Sequence, residues 1–427
     1  MLYTRKCGEI EPSDFGSEQT LCGWLQDTRN LGGIAFIQLR DITGVIQLTL
    51  LKKKLGEEKF KSWTNINRES IVLVRGIIKE NKEAPGDVEM LPDNLELLNE
   101  AETPLPLGVI DKIDSEIETR LNARYMDLRK KDIVANFQIR AAISGAVHKH
   151  LRREKFLEVQ TPKIIASATE GGTSLFEMKY FDRTAYLAQS PQLYKQILMG
   201  GGLERVYEVG PAFRAEEHNT PRHLNEFISI DIEMSFADDD VVMGVMERLV
   251  DTVARAVAKE TEALETLGIK PIELELPLPR ITYDEAVEMA KGKAEWGDDL
   301  SMEATRVIAE EMHGFYFITK WPLSLKPFYI QPDEDPKYSK GFDFMYNEVE
   351  MTSGGQRVHN VDLLRKRLKE QGLDPDGFNH YLDPFRYGMP PHAGWGLGLD
   401  RLTMIFSGAK NVRECVLFPR DRNRLTP

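Results

Sequence analysis

Residues 205–236, RVYEVGPAFRAEEHNTPRHLNEFISIDIEMSF, read as two strands joined by a basic loop. In the second strand a two-residue period puts Phe227, Ser229, Asp231 and Glu233 on one face and Ile228, Ile230, Ile232 and Met234 on the other. The aliphatic face predicts a core. The polar face lies beside Arg214, which ends the first strand, and beside a loop carrying His218, Arg222 and His223. An aromatic ring can stack a base, a guanidinium can grip a phosphate with two hydrogen bonds, and carboxylates can take an amine or a metal, which together make a nucleotide site. A half-buried hairpin with a wet outer face has the same alternation, so this stretch leaves both readings open.

A second stretch favours the nucleotide site. GWGLGLDRLTMIFSG, residues 394–408, reads as a glycine-rich strand feeding a helix that starts at about Asp400. Arg401 then sits in the first helical turn, where a cation opposes the helix dipole unless an anion such as a phosphate is bound there. The glycines before it, Gly398 among them, allow close approach of a ligand to the backbone.

FRAE at 213–216, RHLNEF at 222–227 and GLGLDR at 396–401 resemble motifs 2 and 3 of the class II aminoacyl-tRNA synthetases, and FLEVQTPKI at 156–164 resembles motif 1, with its proline at Pro162. The resemblance implies an α+β fold, an antiparallel-sheet catalytic domain, and ATP and Mg²⁺ as reaction partners. It also implies a homodimer formed through motif 1.

Composition agrees with a large folded protein. A chain of 427 residues, 41% hydrophobic and 29% charged, buries sizeable cores and suggests about two or three domains. No apolar run reaches membrane-spanning length and MLYTRKCGEI has no secretory apolar region, so a soluble, cytoplasmic protein is expected. Cys7, Cys22 and Cys415 are too few and too scattered for a disulfide framework or a zinc site. A net charge of −13 speaks against general nucleic-acid affinity, but charge acts locally.

The first hundred residues read as LCGWLQDTRN, GGIAFIQLRD, TGVIQLTL, a helix KLGEEKFKSWTN, then ESIVLVRGIIKE and DVEMLPDNLELL. Three strands, a helix and two more strands is the order of an all-β OB-fold barrel, a fold that holds single-stranded nucleic acid. The subgroup of the family that uses aspartate, asparagine or lysine carries such a domain to read the anticodon. On that pattern Phe36 stacks on an anticodon base, Gln47 bonds its edge and Arg29 contacts bases or backbone. The expected division is an anticodon-binding domain over 1–102, a hinge over 103–131 marked by Pro104 and Pro106, and a catalytic domain over 132–427.

Amino-acid choice turns on SPQLYKQILMGG, residues 190–201. Ser190 suits an N-cap and Pro191 a first helical position, which puts Gln192 and Lys195 one turn apart on one face. Arg357 follows the small-residue turn of EMTSGGQR, and an arginine fork beside a lysine suits a side-chain carboxylate. This is similar to the aspartate-specific branch, which implies that Lys195 and Arg357 hold the substrate's side chain, Asp231 its ammonium, and Glu170, in the loop SATEGGTSLF, helps from above. Asparagine-specific and lysine-specific members differ at these positions.

In FDFMYNEVEMTSG, residues 342–354, a two-residue loop at Tyr346 and Asn347 would make Asp343 and Glu350 cross-strand neighbours. Facing acids repel unless a cation lies between them, and hard carboxylate oxygens suit Mg²⁺ on ATP phosphates; acids splayed into water are the other reading of this pair. In the family Ser353 matches a further ligand. By the same resemblance Arg214, Glu216, Arg222, His223, Phe227, Glu350, Gly398 and Arg401 bind ATP, with Arg214 and Arg401 catalytic. The implied activity is that of an aspartate–tRNA ligase acting on L-aspartate and tRNA(Asp), with tRNA(Asn) as a further substrate left open. An asparaginyl-tRNA synthetase, or a tRNA-independent ligase forming asparagine on the same fold, are the other readings.

Overall fold

Turn residues cut the N-terminal part of the chain into five strands: β1 (Glu18–Asn30), β2 (Ile34–Arg40), β3 (Val45–Leu51), β4 (Ile71–Glu80) and β5 (Val88–Asn99), with helix α1 (Glu57–Thr64) between the third and fourth. They close into a barrel in the order β1-β2-β3-β5-β4, which is the expected OB-fold arrangement. Alternation along β2 sends Ala35, Ile37 and Leu39 inward to meet Leu21, Leu25, Ile46, Leu48 and Leu50, while Phe60 and Trp63 of α1 pack on the same cluster.

The computed structural model describes residues 1–110, 115–166, 175–217 and 220–427. Its contacts divide the chain into two units, 1–130 and 131–427. The segment read as a hinge therefore belongs, up to Lys130, with the barrel. Its anchor is an ion cluster: Arg129 and Arg40 each lie 2.8 Å from the buried Glu69 Oε2, and Arg129 also covers the ring of Trp24.

The second unit is built on an eight-stranded sheet. The strands of that sheet and the helices that bear on the cleft are, in chain order, α2 (Lys131–Arg153), β6 (Leu157–Glu158), α3 (Gln192–Gly200), β7 (Arg205–Phe213), β8 (Glu226–Ser235), α4 (Asp239–Val257), β9 (Arg280–Thr282), β10 (Phe315–Thr319), β11 (Gly341–Tyr346), β12 (Val349–Gln356), β13 (His392–Gly398) and α5 (Leu399–Ser407). The strand order is β9-β10-β11-β12-β13-β8-β7-β6. Only the outermost pairs, β9 with β10 and β6 with β7, run parallel.

The aliphatic face of β8 behaves as its alternation predicts: Ile230, Ile232 and Met234 join Ile139, Ile143 and Val147 of α2 and Val242, Met246, Leu249 and Val253 of α4 in one core. The acidic run before α4 acts locally as a helix start. Asp238 accepts a hydrogen bond from the Val241 N–H, and Asp239 and Asp240 lie in the first turn, where negative charge is stabilised. With one sheet face sealed by helices, the polar side chains of β8 and its neighbours are left on the other.

Candidate functional site

The open face of the sheet holds a cleft of about 430 Å³, lined among others by Ser190, Gln192, Arg214, Glu216, Arg222, His223, Phe227, Asp231, Asp343, Glu350, Ser353, Gly398 and Arg401. The side chains that the sequence pointed to on motifs 2 and 3 thus converge. Glu170 and His218 lie outside the described residues.

The glycine run of β13 has a purpose that only the pairing reveals. In the register with β8, Ser229, Asp231 and Glu233 face Gly398, Gly396 and Gly394. A Cβ on Gly394 would stand 2.3 Å from Glu233 Oε2, and one on Gly396 2.7 Å from Asp231 Oδ1. Two of the glycines therefore make room for the acids of the next strand, and Gly396 also lines the cleft. Gly398 remains on the cleft wall.

Those acids hold the two cations that the sequence singled out, Lys195 and Arg357. Lys195 Nζ donates to Asp231 Oδ1 at 2.9 Å and to the Trp395 carbonyl at 3.0 Å, and lies 3.6 Å from Glu233 Oε2. Arg357 Nε donates to Glu233 Oε1 at 3.0 Å, with its second nitrogen 3.3 Å from Oε2 and 3.5 Å from Gln192 Oε1. Burial alone would pull the Arg357 guanidinium down, but Glu233 lifts it above its ordinary value. All four groups are at most 4% exposed. Two positive and two negative charges close a neutral set, which is how ions survive out of water. Lys195 and Arg357 lie behind the cleft wall while Asp231 reaches it.

The helix carrying Lys195 starts one residue later than expected, at Gln192. Ser190 still serves its start, its Oγ accepting from the Gln192 N–H at 3.0 Å. Asp231, expected to take an ammonium, has Oδ1 on Lys195 and Oδ2 accepting from Ser229 Oγ at 2.6 Å.

Toward the other end, three arginines crowd. The Arg214 guanidinium stands 5.3 Å from the centre of the Phe227 ring, and Arg222 pairs with Glu348 at 3.1 Å. Arg401 donates to the Glu350 carbonyl at 3.0 Å. Burial, reinforced by Arg214 and Arg222 and opposed by Glu350 and Glu216, holds the Arg401 guanidinium below its ordinary value. Clustered cations of this kind form an anion site. His223 Nδ1 shares a hydrogen bond with Thr220 Oγ at 2.5 Å, and its Nε2 lies 3.9 Å from Glu216.

The acid hairpin differs from the expected register. Tyr346 pairs with Val349, so the loop is Asn347–Glu348, and a bulge after Phe344 sets Met345 opposite Glu350 and Asp343 opposite Ser353. Asn347 takes a left-handed φ of 48°, a conformation asparagine tolerates at hairpin loops. Its side chain accepts from the Gly314 N–H at 2.8 Å, tying the turn to the strand beside it. Asp343 and Glu350 are consequently not cross-strand neighbours. Ser353 donates to Glu350 Oε1 at 3.0 Å, and both oxygens of Asp343 accept from Lys326, at 2.7 and 2.9 Å. Burial pushes the Asp343 carboxyl up to about 6, with Lys326 opposing and Glu350 adding to the rise. Among the described residues no group of three or more His, Cys, Asp or Glu side chains could hold a metal. The oxygen donors of Asp343, Glu350 and Ser353 still fit a hard ion that takes its remaining ligands from water or phosphate.

Lys326 escaped the reading of the site, and Glu233, placed on its polar face, was given no role of its own. For Glu233 the signal was present, since it shares the face of Asp231 and stands opposite a glycine. Lys326 is 17 residues from Asp343 and carries no local signal at all.

On the barrel, Arg29 and Phe36 are direct partners across β1 and β2, while Gln47 on β3 faces Gln38 one pleat away. The three share the outer surface, because Ala35, Ile37, Ile46 and Leu48 take the inward positions.

Residues 116–422 match the family of class II tRNA synthetases (D, K and N), and residues 19–98 match the OB-fold nucleic acid binding domain. The chain belongs to the class II tRNA synthetases. It is an aminoacyl-tRNA ligase, in a family for which ATP is a substrate. A protein of Archaeoglobus fulgidus named Aspartate–tRNA(Asp/Asn) ligase is 53% identical over 433 residues, covering 100% of both chains. Its namesake in Methanocaldococcus jannaschii is 50% identical and covers 99% of this chain and 98% of its own. Among solved structures, the asparaginyl-tRNA synthetase of Pyrococcus horikoshii complexed with asparaginyl-adenylate superposes with a TM-score of 0.93 at 34% identity over 100% of both chains. The aspartyl tRNA synthetase of Entamoeba histolytica gives 0.87 at 33% identity, covering 97% of this chain and 91% of its own. Among the described residues no helix is long and apolar enough to cross a membrane.

Proposed function

We propose that the enzyme activates L-aspartate with ATP and transfers it to tRNA(Asp), and also to tRNA(Asn), as the names of its archaeal relatives say of them. The observation that carries the choice of amino acid is the pair Lys195 and Arg357, two fixed cations held just behind the cleft wall by Asp231 and Glu233. A substrate side chain that is itself an anion gains charge-assisted hydrogen bonds from two cations, which a neutral amide gains more weakly.

In the first step the α-carboxylate of aspartate attacks the α-phosphorus of ATP, giving aspartyl-adenylate and pyrophosphate. In the second a ribose hydroxyl at the 3′ end of the tRNA displaces AMP. No side chain needs to form a covalent bond, so the work is positioning and charge stabilisation. Arg214 takes the α-phosphate as its charge develops, Arg401, Arg222 and His223 take the outer phosphates, and the adenine lies against Phe227 and Arg401. Asp231 and Glu170 serve the ammonium, and Gln192 and Ser190 line the substrate. Asp343, Glu350 and Ser353 would hold Mg²⁺, which supplies neutralisation of the phosphate oxygens when bound. Arg29, Phe36 and Gln47 read the anticodon on the barrel, and two copies of the chain pair through the region of α2 and β6.

Amino-acid-dependent ATP–pyrophosphate exchange tests the reading: aspartate supports it and asparagine and lysine do not. Equal exchange with asparagine overturns the choice of amino acid. Aminoacylation of purified tRNA(Asp) and tRNA(Asn) tests the second step, and charging of tRNA(Asp) alone removes tRNA(Asn) from the substrates.

A further inference from the structure

Lys326 is 8% exposed and Asp343 5% exposed, yet both line the cleft. The ammonium gives hydrogen bonds to both oxygens of that one carboxylate, at 2.7 and 2.9 Å. Behind it stands the face of Trp321, whose ring centre is 4.1 Å from Nζ, so the cation is held from two sides. Glu350 meanwhile accepts from Ser353 and is solvent-exposed.

This arrangement bears on how a divalent ion enters. A metal reaching Asp343 meets an ammonium already bonded to both carboxylate oxygens, and it must either displace that ammonium or come to rest beside its positive charge. A nucleotide's phosphates reverse the balance, because they supply anions both to the metal and to the displaced lysine. We propose that Lys326 is a tethered counter-ion that keeps Asp343 closed to free divalent cations and surrenders it when phosphates arrive, so that metal and nucleotide enter together. The inference rests on reading the cleft as an ATP site.

The probe is Mn²⁺, followed in the full chain by loss of the free-ion electron paramagnetic resonance signal, with and without the ATP analogue bearing a methylene between the α- and β-phosphorus. Wild-type protein should show this site only with the analogue present. Lys326→Met should bind Mn²⁺ without nucleotide, about tenfold or more tighter than wild type. Lys326→Arg, which keeps the charge, should behave as wild type. The double variant Lys326→Met with Asp343→Asn should lose the gain. If Lys326→Met fails to fold, Lys326→Gln, which keeps a donor to Asp343 without a charge, carries the same comparison. No tightening in the uncharged variant, or a gain that survives in the double variant, overturns the inference. Wild-type ATP–pyrophosphate exchange separates the two claims: an active enzyme whose uncharged variant binds Mn²⁺ no better sinks the counter-ion alone, and an inactive one sinks the functional reading.

Discussion

The charged set behind the cleft wall and the outer face of the barrel hold their polar groups in opposite ways. Lys195, Asp231, Glu233 and Arg357 are buried and exist as one neutral set, each member satisfied by another. Arg29, Phe36 and Gln47 stand on the surface of strands whose stability comes from inward residues such as Ile37 and Leu48. In the buried set, therefore, a residue proposed to serve the substrate also serves the fold, because removing it strands a buried charge. On the barrel the two duties are separate.

The largest effect that can break this contrast is at Lys195. Lys195→Leu leaves Asp231 and Glu233 with one cation between them and should cost about 3–5 kcal/mol of stability. Aspartate-dependent exchange should fall on the order of a thousandfold, and far more than any residual exchange with asparagine. Denaturant unfolding and the exchange assay measure the two losses, and a fully stable variant would show that the buried set is not structural.

Glu350 is the sharper case, since it lies in the cleft but is exposed. Glu350→Gln should slow adenylate formation by about 100-fold or more, yet move stability by no more than about 0.5 kcal/mol. Transfer from preformed aspartyl-adenylate should be nearly spared, because pyrophosphate has already left. Single-turnover measurement of each step decides this, and equal damage to both steps would mean that Glu350 does not act on the leaving group.

A purely steric version of the contrast uses the glycines. Gly394→Ala places a methyl 2.3 Å from Glu233 Oε2 and 2.2 Å from the Ile232 carbonyl, and should lower stability by about 1–3 kcal/mol. At Gly398 the nearest atom to such a methyl is 3.8 Å away, on Arg401, so Gly398→Ala should leave the melting temperature close to wild type. Thermal unfolding of the two variants side by side is the measurement.

The smallest overall effect belongs to the barrel. Phe36→Ala should weaken tRNA binding by about 1–3 kcal/mol through lost stacking, with exchange and melting temperature unchanged. Filter binding with tRNA(Asp) reads the first and unfolding the second. A drop in stability comparable to that of Lys195→Leu would erase the distinction between the two regions.

Much of this was written locally. The alternation of β8 announced both a core face and a polar face that borders the cleft, because side-chain direction in a strand follows from its two-residue period. The five barrel strands could be read because turn residues separate them and each alternates. Arg401 stood out as a local conflict, a cation in the first turn of a helix, and the structure sets it on the cleft wall.

What tertiary structure decided was pairing. The hairpin register of β11 and β12 rests on a bulge and on an asparagine turn tied to Gly314, and neither follows from the pattern of acids and apolar residues. The glycines of β13 show what they accommodate only once β8 lies beside them, with Asp231 and Glu233 filling the space that a Cβ would take. Lys326 reaches Asp343 across 17 residues of chain. Local chemistry thus specified which side chains the protein offers and on which face. Which charge meets which was settled by the sheet, since buried ions are stable only against partners that the chain brings from far away.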